Sequence, residues 1–168
     1  MSFLVPVHDL MKRPGLMREL ELDIPLVEPI GTEVVAIPVG SEVELDLRLE
    51  SVHEGILATG EIFAEAKTMC SRCLEDMNLK IEVDFQELFA YSYSSDDELL
   101  VTNEHIDLEQ VVIDSVVLSL PFQPVCNKDC LGLCVECGFR LSEEPEHKHE
   151  NVVDPRFEAL KDLLSKEE

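Results

Sequence analysis

Positive charge is scarce in this chain: 13 Lys and Arg stand against 36 Asp and Glu, a formal net charge of -23 at pH 7. A broad clamp on nucleic acid is thereby excluded as a self-contained activity, because phosphate binding needs a positive face that releases counterions. A field of this sign attracts basic proteins instead, or else simply keeps an acidic surface solvated. Tryptophan is absent and aromatic residues make up only 5%, so the core must be built from aliphatic side chains. No stretch approaches the ~18 consecutive apolar residues of a membrane span, and the apolar start from Met1 to Val7 has no basic leader. The expectation is a cytoplasmic protein with no membrane partner. Also missing are a nucleophile elbow, a phosphate loop and a dinucleotide fingerprint. His8, His53 and His105 fall in predicted turns without a nucleophile beside them, so no enzymatic activity is expected.

What is present suffices for one domain. The chain has 168 residues and 45% hydrophobic content, enough to bury a core despite the charge. The fold class expected is α+β: a small antiparallel β-sheet or partial barrel with a buried helix, a zinc-binding Cys/His segment and a C-terminal helix. Within a single domain spanning 1–168, residues 1–31 read as an N-terminal arm and 32–125 as the sheet and buried helix. Residues 126–150 read as the metal-binding segment and 151–168 as the C-terminal helix.

Strict alternation carries the sheet. Val43, Leu45, Leu47 and Leu49 alternate with Glu44, Asp46, Arg48 and Glu50, the period of a strand with one wet face. Ser51 to Gly55 forms a turn, and the run from Ile56 to Lys67 carries a small-residue face with Ala58, Gly60, Ala64 and Ala66. Leu79, Ile81, Val83 and Phe85 then continue the pattern, so Cys70 and Cys73 belong to the turn between two antiparallel strands. In the N-terminal arm, Asp9 is placed to cap a helical turn that Pro14-Gly15 ends. Ser92 to Glu104 reads as an acidic loop.

Asp107 and Gln110 resemble a capping box opening a helix, and Val111 to Leu120 is apolar on nearly every face until Pro121 stops it. That composition predicts a helix buried against the sheet, although its β-branched residues also suit a strand. Asp154-Pro155 signals a second helix start. Phe157, Leu160, Leu163 and Leu164 follow at helical spacing.

The six cysteines fall into three pairs: Cys70 with Cys73, Cys126 with Cys130, and Cys134 with Cys137. In a reducing compartment, spacings of this kind read as thiolate ligands rather than disulfides. Zinc takes four such ligands in a tetrahedron. His147 and His149 supply a fourth pair, for one or two zinc ions in all. One partition joins Cys70, Cys73, Cys126 and Cys130 as a first site and Cys134, Cys137, His147 and His149 as a second. The other gathers Cys126, Cys130, Cys134 and Cys137 locally, which demands a tight reversal over Leu131-Gly132-Leu133. The first asks less of the backbone, with Gly138 easing a knuckle after Cys137. Arg72 and Lys128, inside ligand pairs, are placed to offset the thiolate charge. A rival for Cys70 and Cys73 is thiol oxidoreductase chemistry, but such cysteines sit at helix N-termini, and strands flank this pair.

Taken together, Cys70-Ser-Arg-Cys73-Leu74 after a strand, Leu120-Pro-x-x-Pro124-Val-Cys126 after an apolar helix, Cys130-Leu-Gly-Leu-Cys134-x-x-Cys137-Gly138, and Asp154-Pro-Arg-Phe157-x-x-Leu160 resemble the YceD family of large ribosomal RNA subunit accumulation proteins. The resemblance covers residues 70 to 164. It implies a cytosolic bacterial or plastid ribosome biogenesis factor needed for accumulation of 23S rRNA, often encoded beside a small basic zinc-ribbon protein of the large subunit. Family members often close the metal segment with Cys-x-Cys, where this chain has His147-Lys-His149. The charge then favours a basic ribosomal protein or large-subunit assembly factor as partner. Direct rRNA contact would fall to Lys12, Arg13, Arg18, Arg72, Lys128 and Arg140.

Overall fold

The computed structural model describes residues 3–92 and 99–149. Its spine is one long hairpin, in which β6 (Gly55–Met69) and β7 (Asp76–Ala90) pair antiparallel over their whole length, from Gly55 opposite Ala90 to Met69 opposite Asp76. One face of β6 is small because the neighbouring strand fills it. A Cβ on Gly60 would lie 2.5 Å from the Phe85 ring, so only glycine lets that ring lie flat on the strand.

On the other edge of β6, β5 (Glu42–Ser51) pairs with its first half and β4 (Val35–Ile37) with its second. β4 in turn pairs with β3 (Ile30–Gly31), and β2 (Met17–Pro25) pairs with β5 from Glu42 to Glu50. β8 (Leu99–Leu100) adds in parallel at the end of β7, while β1 (Leu4–Pro6) and β9 (His105–Asp107) make a separate two-stranded ladder. Among the described residues the result is a mainly antiparallel sheet with one helix, consistent with an α+β class. Among the described residues no pairing joins β2 to β8, so the sheet is open.

Three local expectations change. Met17–Pro25 is a sheet strand rather than part of an arm: Leu20, Leu22 and Ile24 lie opposite Leu47, Leu45 and Val43 and extend the apolar face by one strand. Leu20, Leu22 and Ile24 alternate with Glu19, Glu21 and Asp23 as in β5. Asp9 does not cap a helix; it pairs with Arg18 at 2.7 Å, and the turn is closed by the Leu10 and Met11 amides on the Val7 carbonyl. The second half of the expected acidic loop contributes β8, whereas 93–98 lie outside the described residues.

The helix α1 (Glu109–Ser119) forms where expected but starts differently. Asp107 is held extended opposite Leu4, so Leu108 takes the cap position; the Asp107 carboxylate accepts from the Glu109 amide at 3.0 Å, while Gln110 reaches forward to Asp114 at 2.8 Å. The capping box is therefore not made. Val111, Val112 and Val116 are buried, yet Leu118 is 86% exposed. The helix buries one face rather than its whole circumference, because the described sheet covers it from one side. The helix ends as Leu120 turns extended ahead of Pro121. Val5, Val7, Leu45, Leu49, Ile62, Phe89, Ile106 and Leu108 join α1 in a single core. The C-terminal helix expected over 151–168 lies outside the described residues.

Candidate metal centre

The turn between β6 and β7 is made for two thiols. The Cys70 amide donates to the Glu75 carbonyl at 2.8 Å and the Leu74 amide returns to the Cys70 carbonyl at 2.9 Å, with Leu74 in the left-handed region at φ 57°. This tight loop brings both side chains to one side. After α1, the chain passes over it: the Ser71 amide donates to the Pro124 carbonyl at 2.8 Å, and the Leu133 amide to the Arg72 carbonyl at 3.1 Å. Gly132 is obligatory at that crossing. Its φ is +76°, and a Cβ there would lie 3.0 Å from the Arg72 carbonyl oxygen.

Cys70, Cys73, Cys126 and Cys130 consequently form one group, and Cys134, Cys137, His147 and His149 another, the candidate ligand atoms of each lying within 4.8 Å of one another. The crossing over Arg72 separates Cys126 and Cys130 from Cys134 and Cys137, and the four do not form a local tetrad. In the first group the Cys70 and Cys130 sulfurs are 3.9 Å apart, and those of Cys73 and Cys126 are 3.8 Å apart. Four thiolates about 2.3 Å from one tetrahedral zinc would have edges of roughly 3.8 Å. This spacing is far from a disulfide bond, and all six cysteines are free.

The thiols of the first group differ in acidity. Backbone amides pull the Cys70 thiol down to about 6, that of Cys73 first and then that of Cys126, whose nitrogen lies 3.4 Å from the Cys70 sulfur. Cys126 is pushed up to about 12, chiefly by its contact with Cys130, then by burial. Cys73 gains a lowering hydrogen bond from the Glu75 amide, but burial and the neighbouring Cys70 and Cys130 outweigh it, so the net shift is upward. A cation held among the four sulfurs would offset the charge of their thiolate forms. Arg72 braces the group by donating to the Lys128 and Cys130 carbonyls at 3.2 and 3.0 Å.

The second group is a knuckle. The Cys134 amide donates to the Phe139 carbonyl at 2.7 Å, the Gly138 amide to the Cys134 carbonyl at 2.9 Å, and Gly138 has φ +72°. The amides of Cys137 and Glu136 lower the Cys134 thiol to about 6. His147 and His149 both turn Nε2 toward the Cys137 sulfur, at 3.3 and 3.2 Å. Their Nδ1 atoms face carboxylates, Glu144 at 3.9 Å and Glu136 at 3.4 Å. Neither contact is a hydrogen bond, but a carboxylate on that side favours the tautomer that carries its proton on Nδ1 and leaves Nε2 for a metal. Sequence reasoning missed Glu136, Glu144 and Glu75; their only signal was proximity to the ligand pairs in a chain already dense with acids.

Of the cations proposed to meet a partner, three are used within the fold. Arg18 binds Asp9 and the Pro6 carbonyl, Arg72 braces the first cluster, and Arg140 pairs with Glu75. Lys12, Arg13 and Lys128 are exposed, the first two on the N-terminal turn and the last beside the first cluster.

A family model described as "Large ribosomal RNA subunit accumulation protein YceD" matches residues 58–164, a span that includes all eight candidate ligands. The chain belongs to the YceD family. Similar proteins include Rv2926c of Mycobacterium tuberculosis, 45% identical over 97% of this chain and 82% of that one. A Mycobacterium leprae protein, ML1660, is 40% identical over 95% of this chain and 76% of its own length, and YlbN of Bacillus subtilis is 27% identical over 78% and 77%. No solved structure matches this YceD-family chain. Among its described residues, no helix is long and apolar enough to cross a membrane.

Proposed function

We propose that this YceD-family protein is a cytoplasmic, non-enzymatic ribosome biogenesis factor that supports accumulation of 23S rRNA and large-subunit assembly by binding a basic ribosomal protein or assembly factor. The observation that carries the role is the family match over residues 58–164. The mode of action is supported by the net charge of -23, which suits a basic protein and repels RNA. Zinc is the metal best suited to the two clusters, since thiolate and imidazole sets in closed tetrahedra are its structural vocabulary. Its chemistry here would be structural: four ligands per site leave no coordination position for a substrate. The eight ligand side chains would hold the β6–β7 turn, the segment after α1 and the knuckle as one unit.

Depletion of the protein should lower 23S rRNA relative to 16S rRNA, with rescue by the intact chain. Equal rRNA levels with and without the protein would refute the biogenesis role. Binding to purified basic large-subunit proteins should weaken steeply with added salt. Burial opposes the oxidoreductase alternative, because Cys70 is 0% and Cys73 8% exposed, out of reach of a substrate disulfide.

A further inference from the structure

β2 is an end strand. It pairs with β5 along all nine residues, with no break in register, and among the described residues nothing pairs with its other edge. In an antiparallel ladder alternate residues turn their N–H and C=O toward the partner strand. The Leu16 carbonyl accepts from the Ser51 amide at 2.9 Å and the Leu26 amide donates to the Ser41 carbonyl at 2.8 Å, so the even-numbered residues face β5. Met17, Glu19, Glu21 and Asp23 therefore present their backbone groups outward. Long straight edges of this kind are usually bulged, covered or given lysines, because they accept further strands.

The side chains of those same residues lie on the solvent face of the sheet. The register places Glu21 opposite Asp46, Asp46 opposite Glu61 and Glu61 opposite Asp84, an unbroken row of carboxylates across four strands. Like charges directly opposite one another oppose folding. Two cations flank the row: Arg48 bonds Glu50 at 2.8 Å, and Lys80 lies opposite Glu65. Neither forms an ion pair with it among the described residues. A depression of about 520 Å³ between Glu19, Glu21, Asp46, Arg48, Thr59 and Glu61 opens on this face.

We propose that the free edge of β2 docks an extended basic segment of a partner protein, added antiparallel as a further strand. The proposal rests on the function proposed above and specifies its contact. Residues of the segment opposite Glu19, Glu21 and Asp23 fall on the acidic face and should be Lys or Arg; those between them fall beside the half-buried Leu20, Leu22 and Ile24 and should be apolar. The recognised sequence is thus an alternation of basic and apolar residues, with the backbone supplying affinity and the alternate side chains specificity. A second copy of β2 is disfavoured, because it would set acids against acids.

The test uses the full metal-loaded chain and a labelled nine-residue peptide of alternating lysine and valine, followed by fluorescence anisotropy. The peptide should bind saturably. N-methylation of its lysine amides, the groups that face β2 in antiparallel pairing, should weaken binding by about ten-fold or more, whereas N-methylation of the valine amides should leave it within about two-fold. The variant Glu19→Gln/Glu21→Gln should bind weakly while keeping its metal content and a melting temperature no lower than that of the intact chain. The proposal is overturned by no binding, by equal binding of both methylated peptides, by unchanged binding to the variant, or by concentration-dependent dimers that the peptide disrupts. Failure here with 23S rRNA still dependent on the protein removes the edge contact and leaves the biogenesis role intact. Edge binding with rRNA unaffected does the reverse.

Discussion

The two candidate metal-binding groups lie next to each other in the chain, and an ion in each would close very different loops. The first would join residues 60 apart, Cys70 and Cys130, tying the sheet's central hairpin to the segment after α1; the second would join Cys137 to His147, 10 apart, within one knuckle. Loop-closure entropy alone makes the longer link worth about 1.6 kcal/mol more, from (3/2)RT times the logarithm of the length ratio. Exposure points the same way. Cys70 and Cys73 are buried, while Cys137 and His149 are exposed. The lesson is that equal ligand count does not mean equal structural duty: with metal bound, the first group would be a tertiary fastening and the second a local clip.

The largest effect expected is from Cys126→Ser. Loss of the first site should cost about 4 kcal/mol, roughly 10 °C in melting temperature for a chain of this size, with one metal ion fewer per molecule. Gly132→Ala comes next, at about 2 kcal/mol, because it strains a left-handed backbone under the Arg72 carbonyl. Denaturant titration with unchanged slope would register it as a loss of stability alone. Cys137→Ser should also remove one metal ion yet cost less than about 1 kcal/mol, with hydrogen-exchange changes confined to 132–149. Equal losses from Cys126→Ser and Cys137→Ser would erase the distinction between the clusters.

Protonation offers the smallest and sharpest contrast. At pH 7 Cys70 and Cys134, both near 6, are already thiolates in the metal-free fold, whereas Cys73 and Cys126 are raised and still carry protons. Metal uptake at the first site must displace those protons, so its affinity should climb with pH. Calorimetry in buffers of different ionisation enthalpy would count the protons released. For the lowered pair the sign is opposite. A thiol depressed from 9.0 to about 6 adds stability that is complete above pH 9 and lost as pH falls through 6. Acid melts of metal-free protein should show that loss.

Much of the fold was legible because its signals are local. Val43 to Leu49 alternates so strictly that β5 could be read directly, and the pairing of Cys70 with Cys73 fell in a turn because alternation ran up to it on both sides. Asp9, Asp107 and Gln110 make no helix cap of the expected kind because capping residues are also ordinary partners: Arg18 takes Asp9, and β1 holds Asp107 extended. The helix's exposed Leu118 was not predictable from composition, since which face is covered depends on the element it meets. Glu136 and Glu144 were invisible for a related reason. Among 36 acidic residues, only geometry can show which two stand behind histidine rings.

By itself the sequence determined the acidic field, the alternation that makes strands and the eight side chains able to hold metal, because charge, periodicity and donor type are properties of single residues and their neighbours. Only the tertiary structure decided how those ligands are grouped, since the choice turned on a glycine crossing over the Arg72 carbonyl. It alone aligned Glu21, Asp46, Glu61 and Asp84 into a row, since cross-strand register is set by the packing of the whole apolar face and is written in no one strand.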